Sequence, residues 1–231
     1  MSQRSLCLAV CLVLAGCSMF GRSTDVTAKD GRSATAEVKD IIQRAQAGDP
    51  AAQFALGVAY ENGTGVRLDE AEAEEWYRKA AEAGHVGAQN SLGTLLQSER
   101  RFPDAMPWYE RAAAQGHAGA NNTLGKIYDQ GLGVMRDSNK SLEYFLLAAD
   151  LGVPEAMWSI STIYNEGRLG KKDPLQACVW GLRTRRFAAA NRVLFTQIGP
   201  AIALLERSLS GRELSECRKQ AETWEPNRLP K

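Results

Sequence analysis

The chain has 231 residues, a formal net charge of +1 and 44% hydrophobic residues, enough to bury a sizeable core. The near-neutral balance gives no argument for a nucleic-acid partner. Aromatic residues at 7% and two histidines leave little material for metal or acid–base chemistry, and no cofactor is expected.

The chain opens with Arg4, an apolar run from Leu6 to Ala15, and then Gly16-Cys17. Such a run is too short to span a bilayer, which needs about 20 residues, and fits the core of an export signal. Leu14-Ala15-Gly16-Cys17 resembles the bacterial lipobox, in which small residues precede a cysteine that is lipidated and becomes the mature N-terminus. The alternative is an ordinary signal peptide cut near Ala15 or Gly16. The lipobox reading implies acylation at Cys17 and a periplasmic protein whose only contact with the membrane is its lipid. Ser18 after that cysteine resembles lipoproteins destined for the outer membrane. The next stretch is rich in Ser, Thr, Gly and Asp and has no apolar period. It reads as a tether of about 20 residues with a root-mean-square reach of about 25 Å.

The segment Glu61–Asp69, "ENGTGVRLD", admits two readings: a phosphate cradle or a turn between helices. Self-similarity separates them. "AQFALGVAYENGTGV" at Ala52 recurs in altered form at Ala88, Ala120 and Ala156, at intervals of 36, 32 and 36 residues. The second halves "AEEWYRKAAEAG", "AMPWYERAAAQG" and "SLEYFLLAADLG" align as well, ending at Gly84, Gly116 and Gly152, and "VKDIIQRAQAG" is an additional half-unit in front. Both halves carry helix-period apolar spacing, as in Leu56/Ala59/Tyr60 and Ala73/Trp76/Tyr77/Ala80. Each second half stops at a glycine suited to a left-handed cap. A cradle is expected once, whereas a joint recurs with its unit, so "GTGV" is read as the inner turn of a helix–turn–helix repeat.

The pattern Ala-x-x-x-Leu-Gly-x-x-Tyr-x-x-Gly-x-Gly-Val, then Asp, then Ala-x-x-Trp-Tyr-x-x-Ala-Ala-x-x-Gly resembles the Sel-one-like repeat family, relatives of tetratricopeptide repeats. It runs from about Val38 to Ala188 and weakens in the fourth unit, where Ser161 replaces the glycine and Ala188 stands where the terminal glycine would fall. The resemblance implies an all-α fold, an α-solenoid of stacked helix–turn–helix repeats with a C-terminal capping helix, and a role in binding another protein. Physics agrees on one point, since stacked helix pairs build an extended surface. The expected organisation is a signal peptide over 1–16, a tether over 17–36, the array over 37–188, a helical cap over 189–224 and a tail over 225–231.

The second unit has lost residues in its inner turn and reads "SERRFPDAM"; Asp104 is expected to cap its second helix, with Pro107 in the first turn. Near the end, Ser210 and Glu213 have the spacing of a capping box. Cys178 aligns with Glu74, Met106 and Leu142, a position that the next element covers, and for the last unit that element carries Cys217. A Cys178–Cys217 bridge in an exported chain would stabilise by about 4 kcal/mol on the loop-entropy model; the alternative is two buried thiols.

For chemistry the signal is thin. The sequence has no Gly-x-Ser-x-Gly, no Ser-x-x-Lys and no Cys-x-x-Cys, so no catalytic residue is assigned. His85 and His117 are repeat-equivalent turn residues without an evident third ligand, and no metal is expected. A second stripe on each first helix is the better candidate: Phe54/Val58/Glu61, Asn90/Thr94/Gln97, Asn122/Lys126/Asp129 and Trp158/Thr162/Asn165. In tetratricopeptide-like solenoids this stripe lines the concave face, so these residues are assigned to partner binding, although Phe54 and Trp158 fit a core role equally well. Charge is uneven: eight acidic and three basic residues lie between Asp49 and Val86, six acidic and eleven basic between Glu155 and Gln220. Solvated helix faces account for this, and so do opposite poles that orient a partner.

Small lipid-anchored proteins of this kind resemble immunity proteins that neutralise toxins injected into the periplasm, including phospholipase effectors of type VI secretion. Others resemble adaptors in polysaccharide export. The leading expectation is an immunity protein or inhibitor that binds a secreted toxin or lipase effector. An envelope assembly adaptor is the alternative, and a cell-wall-acting enzyme is third.

Overall fold

The computed structural model describes residues 36–226. The expected signal peptide, Cys17 and nearly all of the expected tether lie outside the described residues. Within them the chain forms α1 (Ala36–Gln46), α2 (Pro50–Asn62), α3 (Glu70–Glu82), α4 (Val86–Ser98), α5 (Phe102–Ala114) and α6 (Ala118–Gln130). It continues with α7 (Ser138–Asp150), α8 (Pro154–Glu166), α9 (Pro174–Phe187), a 3₁₀ turn (Ala188–Ala190), α10 (Arg192–Ser208) and α11 (Gly211–Thr223). No strand occurs among the described residues, and the architecture is the all-α repeat stack that the sequence predicts. None of these helices is long and apolar enough to cross a membrane.

The helix ends repeat because their chemistry repeats. Asp69 and Asp137 each accept two backbone N–H groups at the start of α3 and α7, which offsets donors the first turn leaves unpaired. Asp49 does the same for α2. His85 and His117 hold the equivalent place on α4 and α6, where each Nδ1 accepts from a backbone N–H at 3.1 Å, from Ala88 and Ala120 respectively. They are therefore N-caps, a more specific role than turn residue. Gly63, Gly131 and Gly167 close α2, α6 and α8 at φ of 66°, 70° and 71°, the left-handed region in which a side chain is strained.

Packing follows a volume rule. On the first helix of each of three units a glycine faces an aromatic ring on the second. A Cβ at Gly57 would lie 2.6 Å from Tyr77, one at Gly93 2.8 Å from Tyr109, and one at Gly125 2.5 Å from Phe145. These rings are at most 1% exposed, so the helices approach until the ring fills the space a side chain would occupy. In the fourth unit Ser161 donates from Oγ to the carbonyl of Ala177 at 2.7 Å, and the ring's place is taken by Gly181. The space so freed receives Ile202 and Leu205 of α10.

A buried amide ties successive units together. Gln53 donates from Nε2 to the carbonyl of Ala45, and Gln89 to that of Ala81, both at 3.2 Å. The third unit has Asn121, one methylene shorter, whose Nδ2 donates back to His117 in its own helix at 3.1 Å. Its buried Oδ1 has no partner among the described residues.

Two expectations need correction. Helix α5 begins at Phe102 with no side-chain cap; Asp104 lies inside the first turn, accepting from Arg101 Nε at 3.1 Å, and Pro107 stands in the helix interior. The shortened turn passes through Arg100 at φ 62° directly into the helix, so the start falls earlier than Asp104. Pro107 is exposed, which leaves its ring in solvent, although it cannot donate to the carbonyl of Pro103. The C-terminal capping helix, secondly, is a pair. Helix α10 covers α9 with Ile198, Ile202 and Leu205, and α11 packs on α9 as well. Ser210 and Glu213 form the capping box at the start of α11. Cys178 of α9 and Cys217 of α11 form a disulfide with an S–S distance of 2.05 Å, both sulfur-bearing residues fully buried. Trp224, just past α11, meets the ring of Trp180, and the Arg183 guanidinium lies 4.4 Å from the Trp180 ring and 4.8 Å from that of Trp224. Burial lowers the pKa of Arg183 to about 10, against the opposing pull of Asp150.

Candidate partner-binding surface

The stripe residues come from α2, α4, α6 and α8, the first helices of the four units. None of the twelve is buried, so the stripe remains accessible along the stack. Its members differ in how firmly they are held.

In the first unit the Phe54 ring stacks on His85 at 4.6 Å and leans toward Tyr77 at 5.7 Å. Val58 is half-buried against the same core. Glu61 accepts the hydroxyl of Tyr77 at 2.6 Å. Burial and that carboxylate both push the Tyr77 phenol well above its ordinary range, so it stays a donor. The second unit repeats the device: the Tyr109 hydroxyl reaches Gln97 Oε1 at 2.8 Å and Thr94 Oγ1 at 3.2 Å. Asn90, in the same helix, is half-buried.

The third unit has Phe145 and therefore no hydroxyl. Its terminal stripe residue, Asp129, pairs instead with Arg168 at 2.5 Å, an arginine from the inner turn of the following unit. That ion pair ties α6 to α8, and its two side chains are only 18% and 20% exposed. Asn122 keeps a buried Oδ1 without a partner among the described residues. Lys126 is exposed and makes no hydrogen bond or ion pair with them. In the fourth unit Trp158 is half-buried against the core of α9 and α10, Thr162 bonds back to its own helix at 3.1 Å, and Asn165 is exposed.

The stripe is thus an ordered surface rather than a single pocket. Two clefts open along it. One, about 350 Å³, lies between α4 and α6 and includes Thr94, Gln97 and Lys126. The other, about 480 Å³, lies between α8 and α10 and includes Trp158, Thr162 and Asn165. Phe54, Val58, Glu61, Asn90, Asn122 and Asp129 line neither. Sequence reasoning missed the far wall of the second cleft, Ala201, Leu204 and Leu205 of α10. The apolar spacing of Ile198, Ile202 and Leu205 was the available signal; it marks a helix but not the neighbour it lies beside. Among the described residues no group of three or more His, Cys, Asp and Glu side chains converges on a metal position.

A family model described as the Sel1 repeat matches residues 50–85, 88–117, 118–153 and 154–183, more than half of the chain. Among solved structures, the chain resembles a protective antigen of uropathogenic Escherichia coli with an SLR fold at 27% identity and TM-score 0.71. That match covers 80% of this chain and 39% of the antigen, so the chain spans well under half of that protein's length. A Sel1 repeat protein from Oxalobacter formigenes matches at 30% identity and TM-score 0.65, over 80% of this chain and 77% of the other. An immunity protein from Pseudomonas aeruginosa matches at 18% identity and TM-score 0.47, over 85% of this chain and 76% of the other, too loosely to carry an argument about function. No curated protein matches the chain. With its four matched units, its glycine–aromatic packing and its recurrent inner turns, the chain belongs to the Sel1 repeat family.

Proposed function

We propose that this protein is held at the cell envelope by a lipid on Cys17 and binds another protein, a secreted envelope-directed toxin such as a lipase effector, across the first helices of its repeats. The observation that carries the binding reading is the oriented stripe. Tyr77 and Tyr109, buried in the second helices, hold Glu61, Thr94 and Gln97 by hydrogen bonds of 2.6–3.2 Å. A surface whose polar groups are already positioned loses less conformational freedom on binding, which favours tight association. Blocking requires tight binding and no chemistry, and a leader resembling a lipobox would put the blocker where such a toxin acts.

The test is competition between a strain deleted for this protein and its parent carrying an active secretion system. The deletion strain is expected to be killed by contact and rescued by the wild-type gene, and less well by Cys17→Ser, which should leave the membrane fraction. Survival of the deletion strain overturns the toxin reading, and an assembly defect in that strain would establish the adaptor role instead.

A further inference from the structure

The two clefts differ in chemistry, and an ion pair lies between them. In the α4–α6 cleft Lys126 is the one charged side chain of the lining, and no carboxylate shares it. Its ammonium is also without an ion-pair partner among the described residues. Tyr109 already occupies Gln97 Oε1, so the cleft offers an uncompensated cation beside neutral donors. The α8–α10 cleft is walled by Trp158, Ala201, Leu204 and Leu205, with Leu204 65% exposed. The one carboxylate there, Glu166, is taken up by Arg168 Nε at 2.6 Å. Between the clefts, the Asp129–Arg168 pair bridges α6 to the inner turn after α8.

We propose that this face takes an extended segment of the partner protein, with a carboxylate at Lys126 and a large apolar side chain, five or six residues away, between Trp158 and Leu204. The spacing follows from the helices. The clefts lie two first-helix steps apart, and at about 8–10 Å a step and about 3.3 Å per extended residue, five or six residues span them. A helical segment would need about twice as many residues for the same span. The carboxylate sets register because a like charge at Lys126 would be repelled, and the apolar anchor supplies most of the affinity by leaving water. This inference rests on the reading that the stripe holds a protein.

Selection of phage-displayed random peptides of about twelve residues, long enough to reach both clefts, on the full-length protein tests it. The expected outcome is a shared pattern of Asp or Glu and Leu, Phe, Met or Trp five or six positions apart. A synthetic peptide of that pattern should bind Lys126→Gln and Leu204→Ser each about tenfold or more weaker. Both positions are exposed, and unchanged melting of the variants would confirm intact folding. Changing the peptide's acid to its amide should then cost little further against Lys126→Gln, because the pair is already broken. No enriched pattern, a pattern lacking the acid, or binding insensitive to Lys126→Gln overturns the proposal. If the peptide rule holds while the deletion strain survives competition, the toxin reading alone falls. If the strain is killed but no peptide rule emerges, this inference alone falls.

Discussion

The first three units and the fourth solve the same packing problem in opposite ways. In the first three a glycine on the leading helix receives Tyr77, Tyr109 or Phe145, and the unit is complete within itself. In the fourth, Ser161 faces Gly181, and the unit is completed from outside by Ile202 and Leu205. A stack of identical units has no natural end, since each presents a face for the next. Exchanging ring for glycine makes an end: the last pair has a vacancy that a helix of another kind fills. The same exchange creates the binding surface proposed above, because α10 lies beside α8 and walls the apolar cleft.

The sharpest way to break this comparison is to add one methyl group on either side of it. Gly125→Ala should destabilise by about 1–3 kcal/mol, since its Cβ would sit 2.5 Å from the buried Phe145 ring. Gly181→Ala should be nearly neutral. Its nearest contact would be Ile202 at 3.3 Å, and alanine's better helix propensity, about 0.5–1 kcal/mol, offsets the squeeze. Urea midpoints of the two variants measure the difference, and equal losses would end the volume-exchange account.

A smaller effect sharpens the contrast among the regular units themselves. Asn121→Gln should restore the inter-unit bond that Gln53 and Gln89 make, reaching the carbonyl of Ala113, and stabilise by about 1 kcal/mol. A fall in melting temperature would show that the third unit has repacked around the shorter amide.

The smallest expected effect concerns pH. Burial lowers the pKa of His117 below its ordinary value, and its neutral Nδ1 accepts the Ala120 N–H. The unfolded chain therefore binds this proton more readily than the folded one. The capping contribution is complete above the unfolded pKa of about 6.5 and is lost as pH falls through the lower folded value. His117→Asn keeps an acceptor that does not titrate and should flatten the melting profile between about pH 7 and pH 5 by a fraction of a kcal/mol. An unchanged slope would place the acid sensitivity elsewhere.

Much of the fold was legible because repetition amplifies weak local signals. One glycine after a tyrosine-bearing helix says little, but its return in three of the four units identifies the joint, and Asp69, Asp137 and Gly84 mark helix ends by their own chemistry. Where the unit departs from its pattern the reading failed. Asp104 looked like a cap because aspartate favours that place, yet the left-handed Arg100 started α5 earlier. The candidate surface was legible as a stripe, since helical period alone decides which residues share a face.

What local period and turn chemistry dictated, then, was the helices, their ends and the outward stripe, because each depends on residues within a few positions of one another. Contact between distant residues depended on how the stack closes. The Tyr77–Glu61 and Tyr109–Gln97 bonds and the Asp129–Arg168 tie join side chains 12 or more positions apart, and the cleft between α8 and α10 sets Trp158 opposite Leu204. No spacing rule specifies them. They exist because a glycine admits a ring in three units, and because its reversal in the fourth seats α10 against α9, across a cleft from α8.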